Sequence, residues 1–304
     1  MNYINVHTHT QYSNERLRDC IIKEKDLITT ADKLGYKGVV ITDHETLSCH
    51  VKANKVYKKL KEEGTINKQF KLGFGNEIYL IDDSKKEDIE NKKYIKYTHF
   101  LLIAKNKRGY EGISKLSSIA NSNSYFTSGM ERVPTFKSTL VEVMKEYKGD
   151  IIASTACLGG ELATHLDNYI TYKDDRYKQR AVKFIKALAN IFGKENLFIE
   201  IHPTLIEQGK SVNKLLLKVA EYTGVTPITS TDAHYLLKEH AKIHETYLKA
   251  SDGDREVAMF YATTYLHTRE QFIEEFTEID KSFCFTCLNC LVIINIFYNP
   301  FLNR

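Results

Sequence analysis

Seven short apolar runs alternate with helical patterns along this chain, and that alternation restricts the fold more than any other feature. The runs cover residues 3–6, 38–42, 74–81, 100–104, 150–154, 197–201 and 226–229. Between them, apolar residues recur at helical spacing. Leu27, Ile28, Ala31 and Leu34 mark residues 24–34, which close on Gly35; Ala181, Phe184, Ile185, Leu188 and Ile191 mark residues 175–192, which close on Gly193. A third pattern over residues 212–222 stops before Gly224. Strands separated by helices predict parallel strands with crossover helices, in an α/β barrel or a doubly wound sheet. The mixed-charge segment 82–93 has no apolar period and is expected to be an exposed loop. At 304 residues the chain can bury one large core.

Either architecture gathers function beyond the carboxyl ends of its strands. The polar residues there form a coherent set: His7 and His9 after the first run, Thr42-Asp43-His44 after the second, Asn76-Glu77 within the third, Thr98-His99 at the fourth, Thr155-Ala156-Cys157 after the fifth, and Asp232 with His234 after the seventh. Residues at i and i+2 of an extended backbone project from one face, so His7 and His9 can grip one ion. Nearby histidine pairs also arise by chance on solvated turns, and a lone cysteine is most often a small buried hydrophobe. The recurrence of ligand types at nearly every strand end overturns both of those readings. Five histidines, a cysteine and carboxylates are too many for one tetrahedral ion and too rich in histidine for magnesium or calcium. Two or three divalent transition metals, zinc, manganese or iron, are expected. Such a cluster supports hydrolysis, with phosphoester cleavage as the leading reaction.

These residues carry a resemblance. His7-Thr8-His9, Thr42-Asp43-His44-Glu45, Gly75-Asn76-Glu77, Thr98-His99, Ser154-Thr155-Ala156-Cys157 and Thr231-Asp232-Ala233-His234 resemble the PHP (polymerase and histidinol phosphatase) family. Tyr12-Ser13 with Leu17-Arg18-Asp19, Leu47-Ser48-Cys49-His50-Val51, the run Thr155-Ala156-Cys157-Leu158-Gly159-Gly160-Glu161-Leu162 and residues 106–116 are similar, more narrowly, to the N-terminal PHP domain of bacterial and phage C-family DNA polymerase III alpha subunits. The similarity runs from the first residue to about Phe276. It implies a distorted seven-stranded (β/α) barrel with the metal site at the carboxyl ends of the strands. It further implies one ion on His7, His9 and Asp232, a second on His99 and Cys157 with Glu77 bridging, and a third on Asp19, His44 and His234. Glu15 lies close enough in sequence to compete with Asp19. The family role implied is 3′-5′ exonuclease proofreading at a DNA 3′ end, by metal-activated water, with Asp43 orienting a histidine ligand.

Other residues have plainer readings. His202 precedes Pro203 and is a loop residue with some prospect of touching substrate; Arg132, on a rim loop over residues 125–134, is a better phosphate candidate. Lys105, Lys107 and Arg108 read as a solvated face. A net charge of +4 neither demands nor excludes nucleic acid. The N-terminus shows no secretory signal, no membrane association is expected, and a cytoplasmic protein follows. Thr268 and Gln271 predict a capping box that starts a helix over residues 268–276. The expected organisation is a phosphoesterase domain over 1–245, the helical start of the region that follows it in such polymerases over 246–281, and an atypical apolar, cysteine-rich tail over 282–304. The tail's C-x-x-C-x-x-C spacing lacks an evident fourth ligand, and a truncation by translation into an intervening sequence, or a frameshift, is the expected origin. Polymerase segments are not expected in this chain; they and other replisome proteins are the expected partners. A free phosphatase of the histidinol-phosphate type and a non-catalytic structural domain are the alternatives.

Overall fold

The computed structural model describes residues 2–91, 93, 95–127, 130–252 and 259–276. Ten strands run in chain order: β1 (Ile4–Thr8), β2 (Gly38–Ile41), β3 (Lys71–Ile81), β4 (Thr98–Ala104), β5 (Tyr125–Thr127), β6 (Met130–Arg132), β7 (Pro134–Phe136), β8 (Ile151–Ser154), β9 (Leu197–Ile201) and β10 (Thr226–Thr229). Ten helices accompany them: α1 (Glu24–Lys33), α2 (His50–Glu62), α3 (Lys86–Glu90), α4 (Lys107–Ser122), α5 (Lys137–Tyr147), α6 (Glu161–Tyr172), α7 (Asp175–Phe192), α8 (Glu207–Thr223), α9 (Ala241–Asp252) and α10 (Arg269–Phe276).

Seven strands form one curled sheet in the order β1-β2-β3-β4-β8-β9-β10, with β7 added beside β3. The edges β1 and β10 meet through the chain that follows β10. Ala233 donates to the His7 carbonyl at 3.2 Å and accepts from the His9 amide at 3.0 Å. Asn5 Nδ2 donates to Thr231 Oγ1 at 2.6 Å, which closes the distorted α/β barrel beside the first histidines. Its interior is filled by Ile4, Val6, Val40, Ile103, Ile152, Phe198 and Ile228. A larger apolar layer, including Leu27, Leu72, Leu102, Ile185 and Leu216, lies between the strands and the helices.

One expectation fails instructively. β4 runs antiparallel to both β3 and β8, whereas the other neighbouring pairs along the sheet are parallel. An antiparallel strand presents its beginning where parallel strands present their ends, so His99, the second residue of β4, reaches the same rim as residues that follow β1 and β2. Residues 82–93 also depart from the loop reading: a 3-10 turn at Asp83–Lys85 leads into α3. Residues 125–127 and 130–132 are not a simple rim loop but the antiparallel strands β5 and β6, paired with Tyr125 opposite Arg132. The predicted cap is present at α10, where the Gln271 amide donates to Thr268 Oγ1 at 3.3 Å and the Thr268 amide to Gln271 Oε1 at 2.8 Å. The cysteine-rich tail lies outside the described residues.

Candidate metal centre

β1 delivers His7 from its fourth position, and the chain just beyond delivers His9. The imidazoles lie 5.1 Å apart between ring centres, and both residues are fully buried. Asp232 takes a left-handed backbone with φ of 47°, a conformation non-glycine residues rarely adopt without a functional constraint. That bend sets its Oδ1 2.9 Å from His9 Nε2 and 3.1 Å from His7 Nε2. Glu77, midway along β3, is the hub. Its carboxylate lies 3.2 Å from His7, 2.5 Å from His44 Nδ1, 2.9 Å from His99 Nδ1 and 3.6 Å from His9. Cys157 Sγ is 3.7 Å from His99 Nδ1 and accepts from the Gly159 amide at 3.4 Å. Asp19 Oδ2 is 3.3 Å from His234 Nε2 and 3.5 Å from His44 Nε2. All nine residues named from the sequence therefore converge on one buried region, and Asp19 rather than Glu15 joins them. Glu15 instead accepts from Thr46 at 3.1 Å and Ser48 at 3.2 Å.

The donor atoms fit divalent cations. His7 Nε2, Asp19 Oδ1, both ring nitrogens of His44 and both carboxylate oxygens of Glu77 are buried yet make no hydrogen bond. Buried polar groups are almost always paired, and donors that face one another at ion-pair distance without hydrogen-bond geometry are arranged as ligands are. Among the described residues, His7, His9 and Asp232 form one group with ligand atoms within 4.8 Å, and Glu77, His99 and Cys157 another. His9, His44 and His234 form a third such group, while Asp19 joins the last two through its carboxylate.

Electrostatics divide the histidines. Burial, with charges on His44 and His234 nearby, pushes the His9 pKa down to about 3, so that ring is neutral and ready to ligate. Burial opposes a charge on His7 too, but Asp232, Glu200 and Glu77 outweigh it and hold that pKa well above the ordinary value. Burial works against ionised Glu77 as well, yet His99, His44 and His7 keep its carboxyl well below the usual range. Asp43 reaches the centre indirectly. It accepts from Ser13 Oγ at 2.8 Å and from the Thr10 amide at 2.6 Å, and Ser13 Oγ lies 2.9 Å from His9 Nδ1. Burial lifts the Asp43 pKa to about 6 against those hydrogen bonds.

Of the two remaining candidates, His202 packs against the centre, its ring 5.6 Å from that of His7 between centres, and Arg132 does not join it. Arg132 places its guanidinium 5.6 Å from the Tyr97 ring centre, on the β5–β6 side. His202 is buried and bonded, its Nε2 2.8 Å from Glu200 Oε1. Glu200 escaped the sequence reading, although an acidic residue with the same strand parity as interior Phe198 was the available signal. The way in is marked by His99, whose side chain is 25% exposed while the other histidine, aspartate and glutamate members are at most 3% exposed.

The PHP-domain family profile matches residues 5–204, two thirds of the chain. This chain belongs to the PHP domain family. Beyond the match, the PHP chain is 40% identical over 287 residues to a DNA-directed DNA polymerase of Bacillus phage SPbeta, an alignment covering 91% of this chain and 22% of the phage protein. It is 31% identical over 248 residues to the DNA polymerase III alpha subunit of Aquifex aeolicus, covering 80% of this chain and 19% of that one. The chain thus spans about a fifth of the length of these polymerases. A solved structure from Bifidobacterium adolescentis, assigned as a metal-dependent phosphoesterase, covers 77% of this chain and 88% of its own at 15% identity and a TM-score of 0.46. No helix among the described residues is long and apolar enough to cross a membrane.

Proposed function

We propose that this PHP domain belongs to a replicative DNA polymerase and hydrolyses phosphodiesters at a DNA 3′ end, removing nucleotides in the 3′-5′ direction. The convergence of unpaired, buried nitrogen and oxygen donors around Glu77 carries the reading. The mixed nitrogen, oxygen and sulfur set suits two or three zinc, manganese or iron ions. Its nine proposed ligands are His7, His9, Asp19, His44, Glu77, His99, Cys157, Asp232 and His234. When bound, such ions supply Lewis acidity and an activated water.

The protein's own residues do the rest. Glu77 spans His7, His44 and His99, so one carboxylate ties the clusters together and fixes their spacing. Ser13 and Asp43 hold His9 by its Nδ1 side, which leaves Nε2 directed at Asp232. Partly exposed His99 marks where a terminal phosphate enters, and Arg132 on β6 supplies positive charge for the strand. The partners proposed are a DNA 3′ end, the remaining polymerase segments and other replisome proteins, in the cytoplasm. Similarity to DNA polymerases supports DNA over a small phosphate monoester as substrate.

The near-complete burial of the other ligands favours one second reading, a metal-stabilised structural domain. The deciding experiment loads purified protein with zinc, manganese or iron, measures metal content, and compares a 5′-labelled, 3′-mismatched primer with a chromogenic phosphate monoester. Metal-dependent mononucleotide release is expected. His9→Ala or Asp232→Ala should lower it by about 100-fold or more, since losing even a ligand's supporting partner costs 10–100-fold, with circular dichroism unchanged. No release from metal-loaded protein would establish the structural role, and turnover of the monoester alone would establish a phosphatase.

A further inference from the structure

β9 carries a carboxylate into the barrel. Phe198 and Glu200 share one strand face, and Phe198 belongs to the interior apolar cluster. Glu200, one step nearer the rim, is 1% exposed. A carboxylate at that depth is costly unless nearly every lone pair is used, and this one is fully engaged. Oε1 lies 2.7 Å from His7 Nδ1 and 2.8 Å from His202 Nε2, and it accepts from the Ser230 hydroxyl. Oε2 accepts from the Ser154 hydroxyl. The Glu200 amide donates to Thr155 Oγ1 at 3.0 Å, which fixes the backbone beneath. Residues at or just past the ends of β8, β9 and β10 therefore hold the carboxylate in one place.

The consequence falls on His7. A carboxylate 2.7 Å from Nδ1 keeps a proton on that nitrogen, so the lone pair of the neutral ring belongs to Nε2. Nε2 makes no hydrogen bond and lies 3.1 Å from Asp232 and 3.2 Å from Glu77. We infer that Glu200 is a positioning residue for the metal centre: it sets the tautomer and orientation of His7, raises the basicity of Nε2, and is itself locked by Ser154, Ser230 and His202. The inference rests on the reading that His7 ligates an ion. A carboxylate behind a ligating imidazole is worth about 10–100-fold in metal affinity.

Cobalt(II) is the probe. The full chain and its Cys157→Ser variant are titrated with cobalt while visible ligand-field bands and the near-ultraviolet thiolate-to-cobalt band are followed; the part of the thiolate band that the variant loses reports Cys157, because Cys284, Cys287 and Cys290 can also bind cobalt. Glu200→Gln keeps the side-chain shape and is expected to weaken one class of cobalt by 10–100-fold and to shift the ligand-field bands, while the thiolate band persists. Glu200→Asp, which retains the charge, should recover part of the affinity. If Glu200→Gln does not fold, Ser230→Ala leaves the carboxylate with one donor fewer and should weaken the same class by a smaller factor. Wild-type cobalt affinity and spectrum in a folded Glu200→Gln or Ser230→Ala protein would overturn the inference. Failure of the unmodified protein to bind cobalt would overturn the metal-centre reading instead.

Discussion

Glu45 shows how tightly single residues are constrained beside the centre. It follows His44 with φ of 51°, is fully buried, and accepts the Tyr79 amide through Oε1 while Oε2 finds no hydrogen bond. Burial lifts its pKa from 4.5 to about 8, against the Tyr79 bond that favours the charged form. A carboxyl group whose folded pKa is raised stabilises the fold fully below the unfolded value, and that stability is lost as pH rises through the folded value. In metal-free protein the loss should run from about pH 4.5 to pH 8. Glu45→Gln, permanently neutral, is expected to match the unmodified protein at pH 5 and to exceed it by several kcal/mol above pH 8, since each unit is worth about 1.4 kcal/mol. Urea denaturation of both metal-free proteins at pH 5 and pH 9 checks this, and parallel pH profiles would count against it. The site's ligand types were legible in the sequence because histidine, cysteine and acidic residues clustered at strand ends. Glu200 was not: a glutamate among apolar neighbours can as easily face water, and only the closed barrel turns its side chain inward.

Among the elements, the loop between β8 and α6 does the most with the fewest residues. Ala156 adopts φ of 59°, the Gly160 amide donates to the Cys157 carbonyl at 2.9 Å, and the His99 amide donates to the Gly159 carbonyl at 3.1 Å. Two candidate ligands from different strands are thereby fixed to one tight turn. A methyl group on Gly160 would meet the Thr155 carbonyl oxygen at 2.2 Å and the Cys157 carbonyl oxygen at 3.1 Å, backbone atoms with nowhere to retreat. Gly160→Ala should therefore cost about 1–3 kcal/mol, as overpacking does, and free Cys157 from its buried position. Thermal unfolding reads the first effect, and alkylation of Cys157 mapped by mass spectrometry reads the second; an unchanged alkylation rate would show that the loop tolerates the methyl. Period and spacing revealed most strands and the long helices, because burial imposes those patterns. They could not reveal that β4 is reversed, since alternation reads the same in both directions. They also missed α3, whose run Lys86-Glu87-Asp88-Ile89-Glu90 is almost entirely charged and has no apolar stripe.

At the scale of the whole molecule, the barrel depends on residues well beyond the stretch that defines the family. The PHP match ends at residue 204, yet the His234 amide donates to the Thr264 carbonyl at 2.8 Å, His244 Nε2 bonds the Asp19 carbonyl at 2.6 Å, and the Tyr261 hydroxyl donates to Asp19 Oδ2 at 3.1 Å. The following segment is anchored on the opposite edge. Tyr36 donates to the His267 carbonyl at 2.7 Å, and Phe272, fully buried, meets the Tyr3 ring edge-on at 5.1 Å and the His267 ring at 5.0 Å. Residues 259–276 thus run from the Asp19 cluster to the start of β1, and their attachment should be felt by the barrel as a whole. Phe272→Ala is expected to cost about 3–5 kcal/mol, the usual penalty for emptying a buried aromatic site, and to lower the single unfolding transition of the entire domain. Val51→Ala, at a position 56% exposed, should change stability by no more than about 0.5 kcal/mol. Following unfolding by far-ultraviolet circular dichroism and by release of bound metal separates the possibilities. If residues 259–276 formed a unit of their own, Phe272→Ala would leave the metal-release transition in place while a smaller early transition appeared. A strap integral to the barrel instead moves both signals together, because loosening its anchor at Tyr3 also loosens the hold of Tyr261 on Asp19.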